Sequence, residues 1–288
     1  MLAIYKRELR SYFHSMIAYL FIAGLCFFIG VYFLLVNVVQ GNVYFCRILS
    51  NIMFLFMFIF PILTMRSMAE ERRSKTDQLL LTSPVTIPEI VMGKFCAMAT
   101  VYAVPCLIAA VCPLLMLFLD EHHLTTDLVG IIPFFLVGCV YIAIGMFLSS
   151  LTENQIIAAA LSVIVFLLLY LAPAFQAFYP ESALASAIGL GVLAVFIAFI
   201  YYSFSKNAPV SGGILLAEIA AIVIIFFAKK DLLTGLVPKL FESVFLTAPL
   251  DTLSQYQILD LSGIVFYLSL IGLFIFLTVI IVQKRRWN

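Results

Sequence analysis

Residues 128–150 read LVGIIPFFLVGCVYIAIGMFLSS and contain no charged side chain. An α-helix rises 1.5 Å per residue and the hydrocarbon core of a bilayer is about 30 Å thick, so about 20 such residues cross it. Lipid offers the backbone no hydrogen-bond partner, and a helix satisfies its own N–H and C=O groups. The segment therefore predicts a membrane-spanning α-helix.

Similar apolar runs lie on both sides of this segment. Of the 288 residues, 65% are hydrophobic and 11% are charged, whereas soluble domains have roughly 25% charged residues. The predicted spans are 16–38, 48–67, 94–119, 128–150, 156–179, 184–203, 212–228 and 262–283. Because the run at 212–228 is short and carries Glu218, six spans are the alternative to eight. The predicted fold class is an all-α integral membrane protein, a polytopic helical bundle forming one transmembrane domain over residues 1–288.

Lysine and arginine accumulate in cytoplasmic segments of membrane proteins, and this bias predicts the orientation. With the N-terminus inside, twelve basic residues face the cytoplasm: Lys6, Arg7, Arg10, Arg66, Arg72, Arg73, Lys75, Lys94, Lys206, Lys284, Arg285 and Arg286. Four face outward: Arg47, Lys229, Lys230 and Lys239. The count predicts that both termini are cytoplasmic, for six spans as for eight.

The predicted outer face is acidic. Its carboxylates are Asp120, Glu121, Asp127, Glu181, Asp231, Glu242, Asp251 and Asp260. The longest outer segment is 229–260, where apolar residues recur at helical spacing: Leu232, Leu233, Leu236, Leu240, Phe241, Val244 and Phe245. Pro238 suits the first turn of such a helix. An amphipathic outer helix at the lipid interface is predicted here.

The largest polar segment joins the second and third spans and reads RSMAEERRSKTDQLLLTSPVTIPEIVMGK from Arg66 to Lys94. Ser74 is predicted to cap a helix that Ser83 and Pro84 then end. Thr86 and Glu89 have the spacing of a capping box. Such a rigid cytoplasmic element could transmit force to a soluble partner. The alternative is a solvated loop that only links two spans.

Three stretches together resemble one family: PILTMRSMAEERRSKTDQLLLTSPVTIPEIVMGKF (61–95), IGMFLSSLTENQIIAA (144–159) and residues 261–287, which end in FLTVIIVQKRRW. The N-terminal IYKRELRSYFHSMIAYLFI (4–22) agrees with them. They are similar to ABC-2 type permeases, in the gliding-motility-type and nitrous-oxide-maturation-type branch. Along the chain these stretches follow the family's order.

The resemblance implies a permease subunit of a bacterial ABC transporter in the cytoplasmic membrane, most members being exporters. Such subunits pair as homodimers or heterodimers and dock two ABC ATPase subunits, which bind ATP and Mg; lipids and an accessory extracytoplasmic protein are further expected partners. Residues 1–15 would form an amphipathic elbow helix, and 68–93 the coupling segment. The implied ATPase-coupling residues are Glu70, Glu71, Arg72, Arg73, Ser74, Thr76, Asp77, Leu80, Thr82, Ser83 and Pro84.

Outside that segment, few polar residues suggest function. Glu218 lies within a predicted span, where an ionisable side chain is by default a functional hypothesis; pairing with a neighbour such as Lys206 is the structural alternative. Glu153 and Asn154 lie in the predicted inner turn after residue 151, with Thr152 and Gln155 in capping-box spacing. Capping explains this turn, and a contact with the ATPase or the inner gate is the functional alternative.

Several kinds of chemistry lack their sequence signature. The phosphate-loop motif G-x-x-x-x-G-K-[ST] is absent, so ATP hydrolysis is expected on a separate chain. The six cysteines form no C-x-x-C pair, and the residues from Asp120 to His123 point in different directions on a tight turn, so no metal or other cofactor is predicted. A net charge of +1 does not indicate the strongly basic surface that binds nucleic acid, so no nucleic-acid partner is predicted.

Two other functions remain open beside the permease. One is an envelope assembly or motility anchor, in which an ATPase drives motion but no solute crosses the membrane. The other is a membrane-embedded enzyme that modifies lipids, against which no H-E-x-x-H or G-x-S-x-G motif and no paired carboxylates within a span are found. No catalytic residue is predicted, and substrate, direction and partner permease are left open.

Overall fold

A computed structural model describes residues 1–75, 85–116, 124–205, 208–228, 234–242, 245–256 and 260–287. Every regular element among them is a helix. In chain order they are α1 Leu2–His14, α2 Met16–Tyr32, a π-helix Phe33–Val39, α3 Cys46–Thr64, α4 Arg66–Arg73, α5 Ile87–Ala109, α6 Val111–Met116, α7 Leu124–Leu151, α8 Gln155–Phe178, α9 Ala183–Ser205, α10 Ala208–Ala228, α11 Leu236–Glu242, α12 Ala248–Tyr256 and α13 Leu261–Trp287.

Six helical stretches among the described residues are long and apolar enough to cross a membrane. They are Met16–Val39, Cys46–Arg73, Ile87–Met116, Leu124–Leu151, Gln155–Phe178 and Leu261–Lys284. Each contains most of one predicted span. The other two predicted spans fall on α9 and α10, which are helices of 23 and 21 residues. Many of their side chains lie outside the described set, so the eight-span count stays a prediction.

The ends of the first and third spans have local causes. Ser15 adopts an extended conformation (φ −96°, ψ 151°), which separates α1 from α2. The third span is divided at Ala110 into α5 and α6. A proline ring clashes with the carbonyl group four residues earlier, and Pro113 therefore ends α5 at Ala109.

Helix α7 forms the centre of the bundle, packing against α3, α5 and α13. Glycines on α7 make this close packing feasible. A Cβ atom on Gly138 would lie 2.2 Å from Cε1 of Tyr102, and one on Gly145 would lie 2.3 Å from Oγ1 of Thr64. Small residues let helix backbones approach closely within a membrane.

The start of α7 was predicted to contribute Asp127 to the acidic outer surface, and this is wrong. Asp127 lies in the first helical turn and is buried. Its Oδ1 accepts a hydrogen bond of 3.1 Å from the backbone N–H of Cys46, the first residue of α3. Asp127 therefore satisfies an orphan donor at the end of a neighbouring helix.

The chain divides into two compact units, residues 1–170 with 246–288, and residues 171–245. In the second unit α9 packs against α10 and α11. The predicted amphipathic outer helix corresponds to α11, with Pro238 in its first turn as expected; α11 is shorter than predicted, and Leu232, Leu233 and Val244 lie outside the described residues.

A second helix in the predicted outer segment, α12, was not predicted. It belongs to the first unit and packs on α3, α7 and α13. Leu250 and Leu253 are buried there, and the Tyr267 hydroxyl donates to the carbonyl oxygen of Leu246 at 2.6 Å. The leucines of α12 therefore extend the core of the first unit.

Candidate functional site

Three helices, α1, α4 and α5, place charged side chains together beside the polar segment that follows α4. Helix α4 continues α3 after the single residue Met65. It is held on α7 by Ser149, whose Oγ accepts from the backbone N–H groups of Met68 and Ala69 at 3.3 and 3.1 Å. Ser149 Oγ also donates to the carbonyl of Met65 at 3.0 Å. These bonds fix α4 on the bundle core.

Lys94 of α5 lies at the centre of this charged group. Its side chain is 2% exposed. The ammonium Nζ lies 2.8 Å from Oε1 of Glu71 on α4, 2.8 Å from the carbonyl oxygen of Ser67, and 3.6 Å from Oε1 of Glu8 on α1. A buried ammonium needs such partners because desolvating an unpaired charge is costly.

Arg7 of α1 is the fourth member of this charged group and contacts both of its carboxylates. Its Nη2 lies 2.6 Å from Oε1 of Glu8 and 3.0 Å from Oε1 of Glu71. Partial burial lowers the pKa of Arg7, but the two carboxylates outweigh this, so its pKa is raised above the ordinary value. We call Arg7, Glu8, Glu71 and Lys94 the charged junction; it links α1, α4 and α5.

Helix α1 is also packed closely on α5 by uncharged contacts. A Cβ atom on Gly93 would lie 3.1 Å from Cγ2 of Ile4. The hydroxyl groups of Tyr5 and Thr100 lie 3.1 Å apart. Burial, assisted by the Glu8 carboxylate, raises the pKa of the Tyr12 phenol on the same helix. The N-terminal helix is therefore docked on the bundle over most of its length.

A second ion pair connects α4 with the turn between α7 and α8. Nη2 of Arg72 lies 3.0 Å from Oε1 of Glu153, and Nη1 of Arg72 donates to the carbonyl oxygen of Leu151 at 3.4 Å. In this turn the predicted capping box of Thr152 and Gln155 is wrong. Asn154 caps α8 instead, since its Oδ1 accepts from the Ile156 N–H at 3.0 Å.

The coupling segment implied by the resemblance begins with described residues of α4. Helix α4 ends at Arg73, so Glu70, Glu71, Arg72 and Arg73 form the last turn of an extension of the second span. The Ser74 hydroxyl donates to the carbonyl oxygen of Glu70 at 2.9 Å, and the helix that Ser74 is predicted to cap lies outside the described residues. The following Lys75 has a φ of 58°, which the α-helix cannot contain.

Six predicted coupling residues lie outside the described residues: Thr76, Asp77, Leu80, Thr82, Ser83 and Pro84. The helix that follows them starts as predicted. The Thr86 backbone N–H donates to the Glu89 carboxylate at 3.2 Å, and Pro88 lies in the first turn of α5. Described helices on both sides therefore set the ends of the segment from residue 76 to 84.

Glu218 in the second unit is deeper within its helix than predicted. Helix α10 begins at Ala208, so Glu218 lies about 15 Å along the axis from its start, near the middle of 21 residues. Among the described residues, its buried Oε2 atom has no hydrogen-bond partner. Lys206, the partner suggested by sequence, lies outside the described residues.

The described residues contain no group of three or more His, Cys, Asp or Glu side chains placed to hold a metal ion. The charged junction joins α1, α4 and α5 through ion pairs. With six helical stretches able to cross a bilayer, the chain is a multi-pass α-helical membrane protein.

The family of this membrane protein follows from sequence comparison. The model of the ABC-2 family transporter proteins matches residues 12–180, more than half of the chain. The chain belongs to this family and is a membrane permease component; the family implies ABC ATPase subunits as partners. No curated protein matched the sequence.

The charged junction was the main feature that sequence patterns did not reveal. Lys94 was counted only as an inner positive charge, and Glu8 was given no role. One signal was available: Lys94 lies in an otherwise apolar run, where a charge requires a partner. The partner's identity depends on the approach of α1 and α4, which no local pattern encodes.

Proposed function

We propose that this chain is the transmembrane permease subunit of a bacterial ABC exporter, in the gliding-motility-type and nitrous-oxide-maturation-type branch. The observation that carries this proposal is the charged junction, which ties α1 and α5 to α4, the helix directly before residues 76–84. Hydrolysis of ATP with Mg takes place on a separate ATPase subunit. The permease converts the resulting movement into substrate transfer.

Force applied to the segment after α4 has defined routes into the bundle. Helix α4 is continuous in direction with α3, which it follows after one residue. Ser149 passes its displacement to α7, and the Lys94–Glu71 pair passes it to α5. The Arg7–Glu71 contact passes it to α1. An ATPase pressing on residues 70–84 would therefore move four helices together.

The proposed orientation puts both termini and the charged junction in the cytoplasm. It is supported by the excess of Lys and Arg in the segments on that side. Residues 1–15 then form the elbow helix at the inner leaflet, and a second permease subunit, identical or related, completes the transporter. An ATPase that binds residues 70–84 must be cytosolic, so the same complex tests the orientation.

Purification with an ABC ATPase tests this proposal, with hydrolysis measured in the presence and absence of the permease. We expect the permease to change the ATPase rate. Arg72→Glu is expected to reduce this response by up to about fivefold, because a partly exposed ion pair contributes up to about 1 kcal/mol. Glu153→Arg should act likewise, and the double variant should recover most of the response because the pair re-forms with reversed charges.

The matched control is Arg47→Glu, which makes the same change on an exposed side chain at the other end of the second span. It should leave the response unchanged. A permease that forms no complex with any ABC ATPase, or whose complex hydrolyses ATP at a rate independent of the permease, would contradict the proposed function.

We propose Glu218 as a residue of the translocation pathway, supported by its mid-helix position and its unpartnered buried oxygen. A Glu218→Gln variant is expected to lower permease-stimulated ATP hydrolysis by roughly fivefold, because a charged hydrogen bond made during turnover is weakened. Glu181→Gln, in the turn before α9, is the matched control. Unchanged hydrolysis by Glu218→Gln would assign this carboxylate a structural role.

A further inference from the structure

A polar cavity of about 380 Å³ opens beside the charged junction. All four junction residues line it, together with the Arg66–Glu70 ion pair of α4 and the serines Ser11 and Ser15. Three of these side chains are cationic and three are anionic, so the described part of the lining is neutral. A neutral lining with separated charges suits a ligand that itself carries one positive and one negative group.

The Arg66–Glu70 pair has binding capacity that the described residues leave unused. Arg66 donates through Nε to Glu70, and among the described residues its other guanidinium N–H groups have no partner. The second carboxylate oxygen of Glu70 likewise has none there. Both side chains are about one-third exposed. A guanidinium with free N–H groups suits a phosphate, and a carboxylate oxygen suits an ammonium group.

The surroundings of the cavity suit the apolar part of a lipid. Ser15, in its wall, is followed directly by the first turn of α2. Met16, Tyr19 and Leu20 are 87%, 58% and 60% exposed there. Acyl chains can lie along these side chains while a headgroup occupies the polar cavity. A tyrosine at the boundary of a span is typical of the membrane–water interface.

We propose that this cavity binds the phosphoethanolamine headgroup of a phospholipid. The phosphate is held by Arg66, and the primary ammonium group is held by Glu70. A choline headgroup fits less well because its quaternary nitrogen has no N–H to donate. An anionic glycerol headgroup provides no positive charge for Glu70.

Native mass spectrometry of the delipidated protein tests this binding without any ATPase, so its outcome is independent of the proposed transport function. The probes are palmitoyl-oleoyl phosphatidylethanolamine, the matching choline and glycerol lipids, and free O-phosphoethanolamine. We expect one ethanolamine lipid to bind per chain about tenfold more tightly than either other lipid, as loss of a charged hydrogen bond predicts. Free phosphoethanolamine should bind more weakly, since it lacks the acyl contacts.

Two variants locate the site. Arg66→Gln should weaken binding of the ethanolamine lipid by about tenfold, whereas Glu70→Gln should mainly abolish its preference over the choline lipid. This preference is a ratio and does not depend on the folded fraction. Arg10→Gln removes an exposed charge from α1 outside the cavity and should change neither quantity.

Three results would overturn the proposal. The first is equal or tighter binding of the glycerol lipid. The second is an equal loss in Arg10→Gln and Arg66→Gln, which would indicate general attraction to basic residues. The third is binding of free phosphoethanolamine as tight as that of the lipid, which would indicate a site for a soluble phosphoamine.

Discussion

Replacing Lys94 by methionine is expected to lower the melting temperature of the detergent-purified protein by about 10 °C. The substitution keeps an unbranched side chain that is one atom shorter and removes its charge. Glu71 loses its 2.8 Å partner, and the carbonyl oxygen of Ser67 loses its donor. Breaking a buried ion pair by removing one partner costs about 3 kcal/mol or more. Thermal unfolding followed by size-exclusion chromatography measures the change.

A second substitution separates the charge from the packing. In the double variant Lys94→Met, Glu71→Met, neither member of the pair remains charged, and at least half of the lost stability should return. The response of a bound ATPase should not return, because α4 is no longer tied to α5. Lys6→Met, at an exposed position of α1, is the control and should unfold like the wild type. A stable Lys94→Met protein would show that the charged junction does not hold the three helices.

Replacing Gly138 by alanine is expected to destabilise the bundle by about 1–3 kcal/mol, and the yield of folded protein should fall accordingly. The new Cβ atom would lie 2.2 Å from the Tyr102 ring. The ring cannot move aside easily. It is fully buried, its hydroxyl donates to the carbonyl oxygen of Phe134 at 2.8 Å, and it is stacked on Phe135 with ring centroids 5.6 Å apart. Melting temperature and monodispersity in detergent measure the effect.

Gly24→Ala is the matched control. Gly24 is also in a spanning helix, but an added Cβ atom there meets nothing within 4 Å. Alanine stabilises a helix relative to glycine, so this variant should be as stable as the wild type or more stable. Combining Gly138→Ala with Tyr102→Leu should recover part of the loss, since the smaller side chain vacates the space. Equal stability of the Gly138→Ala and Gly24→Ala proteins would contradict the packing described for α7.

The spanning helices were predictable because length and apolarity are local properties. Residues 128–150 lie inside α7, and each of the six candidate spans among the described residues corresponds to a single apolar run. The start of α5 was predictable for the same reason. Thr86 and Glu89 are three residues apart, so one stretch of sequence contains the whole capping arrangement.

Local patterns were less reliable where two residues competed for one role. Thr152 and Asn154 both precede α8, and the capping box was assigned to Thr152. Asn154 takes the role because it directly precedes the helix, while the Thr152 hydroxyl donates to the carbonyl oxygen of Asn154 at 3.1 Å.

The candidate site was not predictable as a whole. Glu8, Glu71 and Lys94 come from three helices separated by long stretches of sequence, and only the fold brings their side chains together. The burial of Asp127 was missed for the same reason, because its partner Cys46 is 81 residues away. Sequence alone identified the charged segment; the tertiary structure identified which of its charges are joined to the bundle.

The glycines of α7 also limit how this protein can change shape. Domain rearrangements proceed either by hinge rotation or by shear, the sliding of packed helices past one another. Tyr102 of α5 packs directly on Gly138, and Thr64 of α3 packs directly on Gly145. Sliding of α3 or α5 along α7 would move these side chains against larger residues of α7. We therefore expect these three helices to tilt together as one rigid body. Helices α2, α8 and α13 have a smaller buried fraction than α3, α5 and α7, so we expect relative motion at those three helices. Spectroscopic distance probes attached to them would detect it.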